Sequence, residues 1–132
     1  MIGCETALWL AQQGKKTTIA EIGADLLTAG IPVQHMNRLM LLDLLAFHKV
    51  KVLPHTTIAA VTGDGALVTD GDSRGKNLQA DTIVLAVGLK PEQGLYRELR
   101  GQVPNLFSIG DSRIAQNIMN AVWDAYEVAR MI

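Results

Sequence analysis

Apolar residues recur at helical spacing in three parts of the chain. They predict a first helix that begins within residues 1–4 and runs to Gly14, a second over residues 33–48, and a third over residues 115–131. Gly14 is a natural C-terminal stop for the first of them. A fourth, short helix is predicted around residues 95–99.

Strand patterns alternate with these helices. β-Rich or apolar runs predict strands at residues 17–21, 50–53, 56–62, 66–70, 81–88 and 106–109. Gly63, Asp64 and Gly65 join two of them as a hairpin, and the polar residues 70–76 form an exposed turn. The continuous apolar run 81–88 is typical of a strand covered on both faces. The order predicts an α/β fold with a small antiparallel insertion.

Composition narrows the class of protein. The chain has 132 residues, 48% apolar and 19% charged, with a net charge of −1 and no basic run. The length is that of one ordinary domain, and we expect the protein to be soluble and cytoplasmic. We expect it to bind neither nucleic acid nor membrane. Cys4 is the only cysteine, which excludes an internal disulfide, a CxxC redox pair and a cysteine-ligated cluster held by this chain alone. We interpret Cys4 as a packing residue.

The first residues carry part of a dinucleotide fingerprint. That fingerprint runs strand, G-x-G-x-x-G, helix, strand, acidic residue, and Met1-Ile2-Gly3 matches only its last three positions. Glu21 ends the next strand, 18 residues after Gly3, where a carboxylate accepts hydrogen bonds from a ribose diol. No arginine follows Glu21, which favours NAD over NADP. Alternatively, Gly3 only begins a helix and Glu21 is a solvated acid.

Two later segments are more specific. Residues 81–91 read DTIVLAVGLKP and residues 103–111 read VPNLFSIGD. With them the chain resembles the NAD- and FAD-binding region of the NADH:flavin oxidoreductases related to 2,4-dienoyl-CoA reductase and old yellow enzyme. More distantly, it is similar to the glutathione-reductase-like flavoproteins. The resemblance implies a three-layer, Rossmann-like FAD/NAD(P)-binding fold with an incomplete parallel sheet.

The resemblance also assigns site residues. Gly88 would lie where the chain leaves the NAD domain. Asp111, after Gly110, would hydrogen-bond a ribityl hydroxyl of the flavin, and the helix near Asn117 would point its first amides at the flavin. Alternatively, Asp111 is a simple turn acid. By the resemblance, residues 1–88 would be a truncated NAD(P)-binding domain, and residues 89–132 the C-terminal segment of an FAD- or ADP-binding domain.

A complete member of the resembled family carries more than this chain. It has a further flavin-domain segment and a barrel that holds FMN and an iron–sulfur cluster, so we expect those segments as partners. Since the chain starts inside the phosphate-binding turn, we expect weak or absent binding of NAD(H) and FAD by the isolated chain. We also expect self-association through unpaired strand edges.

Two functions remain open. In the first, the chain is the nucleotide-binding part of an NADH:flavin oxidoreductase that reduces an unsaturated substrate, and the isolated chain is inactive. In the second, the chain is a non-enzymatic nucleotide-binding or self-associating module. A disulfide reductase is disfavoured by the single cysteine, and His35, His48 and His55 are too scattered for a catalytic base or a metal site.

Overall fold

A computed structural model describes residues 1–30, 32–71 and 75–132. The chain separates into two compact units, residues 1–86 and residues 87–132, which are described one at a time. Unit 1 contains α1 (Ile2–Gln12), β1 (Thr18–Ala20), α2 (His35–Phe47), β2 (Lys51–Leu53), β3 (Thr57–Thr62), β4 (Gly65–Thr69) and β5 (Gly75–Gln79). Unit 2 contains α3 (Gly94–Leu99), a 3-10 turn (Gly110–Ser112) and α4 (Ile118–Ala129).

The first sheet of unit 1 is a parallel pair. β1 and β2 align Thr18 with Lys51 and Ala20 with Leu53. The ladder continues past both ends, since the Lys51 amide donates to the Thr17 carbonyl at 3.1 Å and the Glu21 amide donates to the Leu53 carbonyl at 2.9 Å. Parallel strands need a crossover connection, and α2 supplies it.

Both helices of unit 1 lie within the predicted ranges: α1 ends two residues before Gly14, and α2 is shorter than predicted by two residues at its start and one at its end. After α1, Gly14 adopts φ +78°, its amide donates to the Ala11 carbonyl and the Lys15 amide donates to the Leu10 carbonyl. This pair of bonds is a Schellman cap, which favours glycine at the left-handed position. α2 begins after Gln34, whose side chain accepts from the Asn37 amide at 3.1 Å.

The core lies between α1, α2 and the parallel pair. Its buried members are Cys4, Ala7, Leu26, Leu41, Leu45 and Val50. Leu45 is the most deeply buried of them, at 2% exposed. Cys4 is buried as predicted, and burial raises the pKa of its thiol while the N-terminal charge lowers it by less. Cys4 is therefore a packing residue.

The second sheet of unit 1 is an antiparallel meander in the order β3-β4-β5. The predicted hairpin is confirmed: Thr62 pairs with Gly65 across the two-residue turn Gly63-Asp64. At Gly65, φ is +151° and any side chain would collide with the Leu78 carbonyl. The third strand, β5, is missing from the prediction. The predicted exposed turn 70–76 includes residues 72–74, which lie outside the described residues, and its last two residues already belong to β5.

Two predicted strands are wrong. Residues 81–88 form no strand, and most of their side chains are exposed, with Leu85 at 64% and Val87 at 87%. Residues 106–109 also lack strand pairing, and Phe107 is 42% exposed. A buried strand needs neighbours that accept and donate its ladder hydrogen bonds, and the described residues pair with neither segment.

The last helix, α4, starts three residues later than predicted and buries none of its residues. Ile118 and Val122, predicted to share an apolar side, are 84% and 59% exposed. Among the described residues, no helix is long and apolar enough to cross a membrane. The mixed α/β class, with a parallel sheet and an antiparallel insertion, is confirmed.

We expect Leu45→Ala to lower the free energy of unfolding by about 2–5 kcal/mol, because it leaves a cavity in the core of unit 1. Met40→Ala on the same helix is the control, since Met40 is 59% exposed. Urea denaturation followed by circular dichroism measures both. Equal losses for the two variants would contradict the assigned core.

Candidate functional site

Gly3 lies where the start of α1 passes close to another part of the backbone. A Cβ built on Gly3 would lie 2.8 Å from the Cβ of Ala86, closer than carbon atoms approach in folded proteins. The third glycine of a dinucleotide fingerprint has this role, since it permits close packing of the helix against its neighbouring strand. The geometry therefore fits the position that the sequence predicts for Gly3.

Glu21 follows β1 at the carboxyl end of the parallel pair, the edge where open α/β sheets bind ligands. Its backbone is held on both sides, because its amide donates to the Leu53 carbonyl and its carbonyl accepts from the Thr56 amide at 2.8 Å. The side chain bends back, so that Oε1 accepts from the Gly23 amide at 2.8 Å. Within the described part of the chain, Oε2 has no hydrogen-bond donor.

Gly23 is fixed in turn. Its carbonyl accepts from the His55 amide at 3.0 Å. The loop after β1 is thus tied to the loop after β2, and the Glu21 carboxylate is oriented before any ligand arrives. A carboxylate has about four lone-pair positions, so three remain for a diol. The arrangement suits recognition of two adjacent hydroxyl groups.

In unit 2, Gly88 and Gly110 both adopt left-handed backbone conformations, with φ +97° and +57°. Gly110 is also crowded: a Cβ there would lie 3.2 Å from the Cβ of Ala121 in α4. Glycine is therefore favoured at position 110 by conformation and by space. No atom lies within 4 Å of a Cβ built on Gly88, so conformation alone favours glycine there.

Asp111 follows Gly110 and is exposed. Its Oδ1 accepts from the Gln116 amide at 3.2 Å. A concavity of about 250 Å³ adjoins it and is lined by Leu89, Lys90, Glu92, Asp111, Ser112 and Ala115. Sites for drug-sized ligands usually measure about 300–1,000 Å³, so this surface fits only part of a dinucleotide.

Asn117 caps α4, and its Oδ1 accepts from the Asn120 amide at 2.9 Å. Its side chain is thus engaged with its own helix. The next two amides, of Ile118 and Met119, have no acceptor among the described residues. Free amides at a helix start suit an anionic or electron-rich group. The structure places the predicted residues Gly88, Gly110, Asp111 and Asn117 in unit 2, and Gly3 and Glu21 in unit 1.

Sequence reasoning missed the ion pair between Arg113 and Asp124. Arg113 donates from Nε to Oδ2 at 2.9 Å and from Nη2 to Oδ1 at 2.6 Å, and the Gly110 amide also donates to Oδ2 at 3.0 Å. The Arg113 hydrogen bonds hold the pKa of the Asp124 carboxyl below its usual range. The residues are eleven apart, with a loop between them, so no helical spacing reveals the pair.

The described residues contain no cluster of histidine, cysteine and acidic side chains able to hold a metal ion. Cys4 is buried in unit 1 and belongs to its core. In the described chain, neither site therefore contains a cysteine thiol or a cluster able to hold a metal ion. The groups that the structure arranges there are backbone turns, carboxylates and helix amides. These groups bind and orient ligands.

Comparison with protein families gives a match over residues 1–125 to the model described as pyridine nucleotide-disulphide oxidoreductase. The chain belongs to this family. Membership supports the cofactor classes predicted for the parent enzyme, a nicotinamide dinucleotide and FAD, and it confirms the Rossmann-like fold. The preference for NAD(H) over NADP(H) stays a prediction. The single cysteine means that this chain alone supplies no disulfide pair to the reaction.

Among curated relatives, the chain is 46% identical to "Cinnamate reductase" of Clostridium sporogenes over all of its length and 20% of that protein. It is 34% identical to "Metal reductase" of Desulforamulus reducens, over 91% of this chain and 17% of that protein. A solved structure titled as a complex of 2-naphthoyl-CoA reductase with 2-naphthoyl-CoA matches with a TM-score of 0.81 and 27% identity, over 99% of this chain and 20% of that one. The chain spans about a fifth of the length of the curated relatives it matches.

We expect Gly3→Ala to lower the melting temperature, because the new methyl group overlaps the Cβ of Ala86. Ala86→Gly in the same chain removes the opposing atom and should restore much of the loss. Gly63→Ala is the control, since nothing lies within 4 Å of a Cβ built there. Thermal unfolding checks all four chains, and the absence of rescue by Ala86→Gly would contradict the close approach.

Proposed function

We propose that this chain is the part of a larger NADH:flavin oxidoreductase that contacts both nucleotides, and that the whole enzyme reduces an unsaturated substrate. The observation that carries the proposal is the fixed Glu21 carboxylate at the carboxyl end of the parallel pair. Support for the substrate class comes from the names of the relatives, a cinnamate reductase and a 2-naphthoyl-CoA reductase.

Unit 1 contributes to the NADH side. Gly3 lets the helix start lie close to its neighbour, and Glu21 accepts hydrogen bonds from the two ribose hydroxyls. A 2′-phosphate in that position would bring negative charge next to the carboxylate, which is repulsive. The next two residues, Ile22 and Gly23, offer no cationic side chain to compensate. Glu21 therefore selects NADH over NADPH.

Unit 2 contributes to the FAD side. The Asp111 carboxylate accepts from a cofactor hydroxyl, and the unpaired amides at the start of α4 face an electron-rich group. When bound, nicotinamide and flavin supply the hydride chemistry, while the protein supplies binding and orientation. The residues of this chain act through hydrogen bonds to the cofactors.

The proposal is tested by titrating the ¹⁵N-labelled chain with NADH and NADPH, since amide chemical shifts detect weak binding residue by residue. We expect NADH to shift the amides of Glu21 and Gly23, and NADPH to do so only at higher concentration. Glu21→Gln keeps the acceptor for the Gly23 amide but removes the charge and one diol acceptor. It should weaken NADH binding about tenfold, the loss expected for a charge-assisted hydrogen bond.

The matched control is Asp43→Asn, which removes an exposed carboxylate from α2. It should leave both titrations unchanged. Stronger shifts with NADPH than with NADH, or equal NADH affinity for Glu21→Gln and the wild type, would contradict the assignment of Glu21.

A second candidate function, a self-associating module, is favoured by the apolar surface of unit 2. Ile118, Val122 and Trp123 of α4 are 84%, 59% and 57% exposed. We propose that this surface is covered by the rest of the larger enzyme. In the isolated chain, we expect this apolar surface to form contacts between two copies, so that the chain self-associates.

Sedimentation of the isolated chain checks this expectation, with a mass that rises with concentration as the predicted result. Val122→Lys should shift the equilibrium toward monomer, because it places a charge in the apolar surface. A monomer at all concentrations, with a sharp thermal transition, would contradict self-association.

A further inference from the structure

One carboxylate joins α4 to the turn that carries Asp111. Asp124 receives three donors: the two guanidinium nitrogens of Arg113, at 2.9 and 2.6 Å, and the backbone amide of Gly110, at 3.0 Å. The Asp124 side chain is 19% exposed and that of Arg113 is 48% exposed. An ordinary surface ion pair contributes little to stability. The Arg113–Asp124 pair differs from such a pair because the Asp124 carboxylate also accepts from the Gly110 amide, and this bond fixes the main chain at Gly110.

Gly110 is held from the other side as well. Its carbonyl accepts from the Arg113 amide at 2.9 Å and from the Ile114 amide at 3.0 Å. Its Cα lies against Ala121 of α4, where a Cβ would lie only 3.2 Å from the Ala121 Cβ. Both peptide groups of Gly110 are therefore hydrogen bonded, and its left-handed conformation sets the direction in which Asp111 leaves the turn.

We propose that Asp124 is a positioning residue for the FAD side: it holds the Gly110 amide, and Arg113 holds the Asp124 carboxylate, so that Asp111 is presented to the cofactor in one orientation. This inference rests on the proposed function of Asp111. Arg113 also neutralises the Asp124 charge, which would otherwise add to that of Asp111 beside the pyrophosphate-bearing cofactor. The guanidinium holds the carboxylate in one orientation, because it donates hydrogen bonds to both carboxylate oxygens at once.

Three changes separate the contacts. Asp124→Ala removes the acceptor of the Gly110 amide and the ion pair together. Arg113→Met leaves the Asp124 carboxylate as the acceptor of the Gly110 amide but removes the guanidinium that holds this carboxylate. The double change Arg113→Asp with Asp124→Arg keeps an ion pair of opposite polarity but gives the Gly110 amide no carboxylate on α4. Glu127→Gln is the control, because Glu127 is an exposed acid on the same helix.

The first measurement is amide hydrogen exchange at Gly110 without ligand. We expect exchange at least about tenfold faster in Asp124→Ala and in the double variant, as the lost charge-assisted hydrogen bond implies. Arg113→Met should fall between these variants and the wild type, and Glu127→Gln should match the wild type. Wild-type protection of Gly110 in Asp124→Ala would overturn the inference.

The second measurement is FAD affinity in a Clostridium sporogenes cinnamate reductase whose aligned segment is replaced by this chain, with melting temperatures recorded in parallel. The larger protein is used because we expect the isolated chain to bind FAD weakly or not at all. FAD binding should weaken about tenfold in Asp124→Ala and in the double variant, even where the double variant melts like the wild type. Wild-type FAD affinity in the double variant would overturn the inference, because the ion pair alone would then suffice.

The two measurements separate this inference from the proposed function. If the chimera that carries the wild-type chain folds but holds no FAD, the proposed FAD side fails, and positioning for FAD fails with it. If the wild type binds FAD and the variants bind it equally well, the proposed function stands and only the role of Asp124 fails.

Discussion

Three residues of β1 pair in parallel with three residues of β2, and this ladder sets the arrangement of unit 1. Because a parallel pair needs a crossover, α2 must lie over the sheet, and the core forms where α2 meets α1. The ladder also brings the ends of both strands to one edge. There the Glu21 backbone bonds to Leu53 at the end of β2 and to Thr56 in the loop that follows, and the Gly23 amide orients the carboxylate in advance.

Unit 2 is held together differently. No residue of it is buried, whereas unit 1 contains all the buried residues of the described chain. A unit of 46 residues rarely encloses a sufficient core of its own. Its order depends on local hydrogen bonds: the doubly bonded Gly110, the fork of Arg113 on Asp124 and the Asn117 cap. Many of its apolar side chains are exposed, and the chain spans 20% of the length of the cinnamate reductase that it matches.

Local patterns predicted most of the elements of unit 1. Helical periodicity and Gly14 located α1, and the turn residues after Thr62 located the hairpin. β5 was missed because Lys76, Asn77 and Gln79 give it the composition of a loop, and its order comes from pairing with β4. Residues 81–88 were assigned to a strand because a continuous apolar run is typical of a strand covered on both faces. The prediction is wrong because no described strand pairs with this run.

The residues of the candidate site were named from two kinds of pattern, and their roles stay predictions. Gly3 and Glu21 came from the spacing of a dinucleotide fingerprint, whereas Gly110 and Asp111 came from the resemblance to flavoproteins. The Arg113–Asp124 pair spans a loop whose path no local rule specifies, and only the fold reveals it. Whether Asn117 caps its own helix or faces a ligand is likewise decided by backbone geometry.

The central claim is that this chain orients NADH and FAD within a larger reductase. The most direct measurement replaces the aligned segment of the Clostridium sporogenes cinnamate reductase with this chain, which is 46% identical to it, and follows bleaching of the flavin absorbance by NADH. The account predicts a chimera that retains FAD and is reduced by NADH faster than by NADPH, with the NADH rate lowered by Glu21→Gln. A folded chimera that holds no FAD, or one that NADPH reduces preferentially, would contradict the account.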